Sequence, residues 1–120
     1  MNVRLPKLHW LSDANRLLGF SEEGIEEARE ALEISERLGG NVVQARCLKQ
    51  LGQLLSEDEQ LDAAEVAVRR AIDLFLENGV EEHSVCQCHR ALGSIYRSMG
   101  EREKATYHLE LALGMVSACN

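Results

Sequence analysis

The stretch Cys86–Cys119, CQCHRALGSIYRSMGEREKATYHLELALGMVSAC, decides the fold. Its first half reads as a helix from about Ser84 to Met99, stopped at Gly100. Glycine takes the left-handed conformation that a helix end requires. Glu101-Arg102-Glu103 follows, and acidic residues suit the positive end of the next helix. The second half carries Ala105, Leu109, Ala112 and Leu113, an i, i+4, i+7, i+8 stripe along one helical face. The pattern is a helical hairpin with small and large apolar residues at its seam.

The same pattern occurs twice more upstream. Ala31, Ala71 and Ala112 are spaced by 40 and then 41 residues. Gly24, Ala64 and Ala105 lie seven residues before them, and Gly19, Glu59 and Gly100 a further five. Leu11-Ser12, Leu51-Gly52 and Leu92-Gly93 then align with no gap inside any unit. Self-similarity at such a period marks stacked supersecondary units that bury their apolar faces on one another. The expectation is an all-α chain with one array over residues 1–120, its units at about 5–38, 45–78 and 86–119.

Composition agrees. One Pro and five aromatic residues (two Phe, two Tyr, one Trp) in 120 argue against a sandwich or barrel. Ala, Leu, Glu and Arg, all good helix formers, dominate. The net charge of −7 disfavours bulk attraction to nucleic acid or to anionic membrane, since both need a basic footprint. No run approaches the roughly 18 apolar residues that span a bilayer. The opening residues MNVRLPKLHWL lack the apolar core of a signal peptide. Four cysteines without a secretion signal are expected as reduced thiols, in a cytoplasmic chain.

These residues resemble the tetratricopeptide repeat family, whose 34-residue pattern pairs Leu-Gly in one helix with Ala at two places in the next. The unit at 86–119 supplies Leu92, Gly93, Tyr96, Gly100, Ala105, Leu109 and Ala112. The unit at 45–78 supplies Leu48, Leu51, Gly52, Leu55, Ala64, Val68 and Ala71. The first unit keeps Leu8, Leu11, Gly19, Ala28 and Ala31 but departs at Ser12 and Gly24. Six and seven extra residues separate the units (39–44 and 79–85), as in the long-linker repeats of kinesin light chains and of fungal nucleotide-switched signalling proteins. The resemblance implies a right-handed α-solenoid of three helix-turn-helix hairpins and a non-catalytic role in binding other proteins.

It also implies a concave groove lined by particular positions of each first helix. Those positions hold Pro6, His9, Asp13 and Arg16, then Arg46, Lys49, Gln53 and Ser56, then Gln87, Arg90, Ser94 and Arg97. Five of the twelve are basic and one is acidic, while acidic runs such as Glu22-Glu23 and Glu57-Asp58-Glu59 fall on second helices and turns. An acidic, extended or helical segment of a partner protein is the expected ligand. The family's two-carboxylate clamp for chaperone tails is not expected. Lys49 fits it, but Gln53 and Ala91 replace its asparagines.

Other signals carry less. His83, Cys86, Cys88 and His89 have the only metal-like spacing, yet on a helix Cys86 and Cys88 point about 200° apart. At most His83–Cys86 or His89–Cys86 can converge, short of the four ligands zinc takes. No metal, no cofactor and no catalytic constellation is expected. Trp10 reads as core or cap packing. Leu109, Leu113 and Val116 are left on an uncovered edge, so continuation of the array or self-association through that end is a further expectation, and the alternative function is an oligomerising or sensing fragment of a larger signalling protein that makes its contacts through the array ends.

Overall fold

The computed structural model describes residues 21–79 and 82–115, which hold five α-helices and no strand. They are α1 (Ser21–Leu38), α2 (Asn41–Glu57), α3 (Leu61–Glu77), α4 (Glu82–Met99) and α5 (Arg102–Gly114). Helices α2 and α3 form one hairpin and α4 and α5 the next, while α1 precedes them and packs on α2. Each helix packs chiefly on its neighbours in sequence. The expected first helix of the first unit, with Leu8, Trp10, Leu11 and Gly19, lies outside the described residues.

Close approach at the seams follows from the glycines. A Cβ on Gly52 would lie 2.4 Å from Val68 Cγ2, and one on Gly93 would lie 2.6 Å from Leu109 Cγ and Cδ2. Bare backbone at these sites lets α2 settle on α3, and α4 on α5, with Ala64 and Ala105 buried opposite. Leu51, Leu55, Val68, Phe75, Leu92, Ile95 and Tyr96 fill the continuous core between the layers.

The two intra-hairpin turns share one geometry. Gly100 sits at φ 82° with its N–H on the Arg97 carbonyl, and the Glu101 N–H donates back to Tyr96 O at 2.8 Å. Glu59 takes the same left-handed conformation, φ 61°, and Gln60 N–H reaches Leu55 O at 2.9 Å. Side chains rarely accept that region, at a cost of about 1–2 kcal/mol.

The residues that lengthen the period beyond 34 form little loop. Asn41 to Gln44 open α2, and Glu82 to Val85 open α4. The extra length therefore adds a turn to each first helix, with Gly39 at φ 76° and Gly79 at φ 64° marking the helix ends before them. The first unit departs in one further respect. Ala31, aligned with buried Ala71 and Ala112, is exposed, and the helix expected to face it is outside the described residues.

Candidate functional site

The first helices of successive hairpins, α2 and α4, touch each other, whereas the second helices α3 and α5 meet less closely. A stack closed on one side and splayed on the other curves, and α2 and α4 form its inner wall. Between them lies a cavity of about 520 Å³ lined by Gln53, Ser56, Glu57, Gln87, Arg90, Ala91 and Ser94.

Five of these seven, Gln53, Ser56, Gln87, Arg90 and Ser94, were expected from register. Glu57 and Ala91 were not. Glu57 stands one residue past the last expected position, at the close of α2, and it brings a carboxylate to the lip of the basic wall. Arg46, Lys49 and Arg97 do not line the cavity. Arg46 and Arg97 are exposed elsewhere on α2 and α4. Lys49 is half-buried, and its ammonium donates to Gln87 Oε1 at 2.6 Å, bridging the two helices. His9, Asp13 and Arg16 lie outside the described residues.

Among the described residues, Lys49, Arg90 and Arg97 make no ion pair with a carboxylate. The pairs that do form, Arg70–Glu36 at 3.6 Å and Lys104–Glu101 at 3.7 Å, are on exposed parts of other helices. The wall thus carries cations that form no ion pair among the described residues, with the Glu57 carboxylate sharing the cavity of Arg90.

A second cluster lies on the opposite side, where α3 and α5 splay over α4. The cleft of about 310 Å³ is lined by Arg69, Ile72, Asp73, His89, Leu92, Tyr107, His108 and Leu111. His89 Nδ1 and His108 Nδ1 are 3.0 Å apart, with ring centroids at 5.2 Å and planes tilted by 23°. The difference between the two distances is about what two imidazole radii span. The rings therefore meet nitrogen to nitrogen, edge to edge, and are not stacked face to face. One Nδ1 carries a proton and donates it in a hydrogen bond that the other Nδ1 accepts.

Burial lowers the basicity of both rings, and the charges of His89 and Arg69 lower that of His108 further. Two imidazolium rings would set N–H against N–H and break the bond. Tyr96 completes the cluster, accepting from Arg69 Nη1 at 2.9 Å, and its phenol is held above its usual range chiefly by burial. This network ties α3, α4 and α5 together, and structure accounts for it without a ligand.

The cysteine cluster does not form a site. Cys86 is disulfide-bonded, which corrects the expectation of reduced thiols at that position. Cys47 and Cys88 are free. Burial pushes the Cys88 thiol up to about 12, so it is not a thiolate near neutrality. His89 turns to His108 and not to Cys86. Among the described residues no group of three His, Cys, Asp or Glu is placed to hold a metal ion.

The tetratricopeptide repeat model matches residues 4–77. The chain belongs to the tetratricopeptide repeat family. No curated protein and no solved structure matches it significantly. The match ends at the close of α3, yet α4 and α5 repeat the tetratricopeptide packing of α2 and α3, with Gly93 on Leu109 as Gly52 is on Val68. Tetratricopeptide repeats generally mediate contacts between proteins without catalysis, and the first-helix wall of α2 and α4 is the candidate site here. No described helix is long and apolar enough to cross a membrane.

Proposed function

We propose that the wall formed by α2 and α4 binds an acidic, extended or helical segment of another protein, without catalysis. The observation that carries this reading is the cavity between them, where Gln87 stands beside Arg90 and Arg90 makes no ion pair among the described residues. His9, Asp13 and Arg16 extend the same wall if residues 1–120 form one array of three hairpins, as their register implies. Cytoplasmic location belongs to the same proposal. The free Cys47 and Cys88 support it, and the disulfide at Cys86 counts against it.

The test is capture of partners from lysate by the wild type and by Arg90→Glu, identified by mass spectrometry. A control, Arg29→Glu, makes the same change in net charge on an exposed site of α1. Charge-assisted hydrogen bonds contribute about 1.5–3 kcal/mol each, so the groove variant should lose its specific partner about tenfold or more. The control should keep it. Equal loss in both would show that bulk charge and not the groove is responsible.

One observation favours contacts through the array's end as a second reading. Ile72 on α3 is 8% exposed beneath α4, while Leu113, at the same register on α5, is 70% exposed. Apolar residues lie all round α5, with Tyr107, Leu109 and Leu111 also exposed. A molecular mass that rises with concentration, and that Leu113→Asp returns to the monomer value, would establish it.

A further inference from the structure

We infer that Lys49 is a positioning residue: it fixes the polarity of the Gln87 amide, so that the groove offers N–H donors and selects ligands that bring acceptor oxygens. The inference rests on the groove reading and specifies the chemistry it recognises.

An ammonium has three donors and no acceptor. The 2.6 Å contact from Lys49 Nζ can therefore be made only to the oxygen of Gln87. The two arms of a primary amide diverge from one carbon. With Oε1 held by Lys49, the NH2 group is the arm left for the cavity that Gln87 lines. Arg90, one helical turn further along the same face of α4, also only donates.

A glutamine free to rotate would present either its carbonyl or its amide, and the carbonyl would repel a carboxylate. Held by Lys49, it presents the amide only. Lys49 in turn is half-buried on α2, with its ammonium engaged by the Gln87 oxygen. The ligand chemistry that matches is a carboxylate, or a main-chain carbonyl flanked by one. A lysine side chain, which only donates, finds no acceptor in the Gln87 amide or in Arg90.

The experiment is a mutant cycle read by binding of a hexaglutamate peptide blocked at both ends, at about 150 mM salt so that distant charge is screened. Lys49→Met and Gln87→Met should each weaken binding about fivefold, the worth of one hydrogen bond of about 1 kcal/mol. The double variant should be no weaker than Gln87→Met alone, because Lys49 acts through Gln87. Lys49→Arg, which also only donates, should restore binding and guards against a folding defect in Lys49→Met. In the wild type, hexaglutamate should move the Gln87 side-chain NH2 resonances, and the movement should shrink in Lys49→Met. A double variant weakened about 25-fold, the product of the singles, would overturn the inference and leave the groove reading intact. Absence of wild-type binding would overturn the acidic-ligand reading itself.

Discussion

Replacing Phe75 by Ala is expected to destabilise the chain by about 3–5 kcal/mol, the cost of emptying a fully buried aromatic site. Phe75 is wholly buried on α3, in the core cluster shared with Val85, Cys88 and Leu92 of α4. That cluster is continuous across both hairpins, so Phe75 contributes to the core they share. Small domains are stable by only about 5–15 kcal/mol, so this single change removes a large share of the total. Leu76, next in sequence, is 63% exposed, and Leu76→Ala should cost less than about 1 kcal/mol. Urea unfolding of the two variants measures the contrast. A Phe75→Ala protein as stable as Leu76→Ala would mean that α3 and α4 are not stacked as described.

The second large effect is expected at Gly52. Alanine in place of a mid-helix glycine ordinarily helps by about 1 kcal/mol through helix propensity. Here the new methyl meets Val68 Cγ2 at 2.4 Å, with Ala64 O at 3.3 Å and Val68 N at 3.4 Å behind it. Val68 is fully buried and stiff at χ1, so it cannot turn aside. Overpacking of this kind costs about 1–3 kcal/mol, and the net result should be a loss. Gly93→Ala is the informative companion. Its obstruction is Leu109, a flexible side chain 37% exposed and free to swing toward solvent. The propensity gain should then roughly offset the clash. Equal destabilisation of the two variants in urea would contradict this account of the seams.

Much of this architecture could be read from residue types alone, because each seam repeats a local chemical demand. Leu51-Gly52 and Leu92-Gly93 announced a close helix approach, and Gly100 announced a turn. The turn at Glu59 was legible only by alignment, since glutamate is a poor residue for φ 61°. The extra residues between units were legible as length and not as structure. Nothing in Asn41–Gln44 distinguishes a linker from one more helical turn.

The candidate site was legible in part. Register placed Gln53, Ser56, Gln87, Arg90 and Ser94 on one wall, and they line one cavity. It also placed Arg46 and Arg97 there, and they lie off it, because reach across the seam depends on how α2 and α4 cross. No periodicity encodes that crossing. Glu57 was missed for the same reason. The His89–His108 pair was invisible because the two residues are 19 apart on different helices. Proximity in sequence directed attention to His89 and Cys86 instead. The order of Gln87 and Lys49 within their own helices could have suggested the bridge, but its polarity needed the distance.

The most direct test of the central claim, that partners meet the α2–α4 wall, is photo-crosslinking in lysate with p-benzoylphenylalanine placed at Ser94 or at Val66. Both residues are exposed, Ser94 on the cavity and Val66 on α3 away from it. The groove account predicts a discrete protein adduct from Ser94 and none from Val66. A specific adduct at Val66, with Ser94 silent, would contradict it.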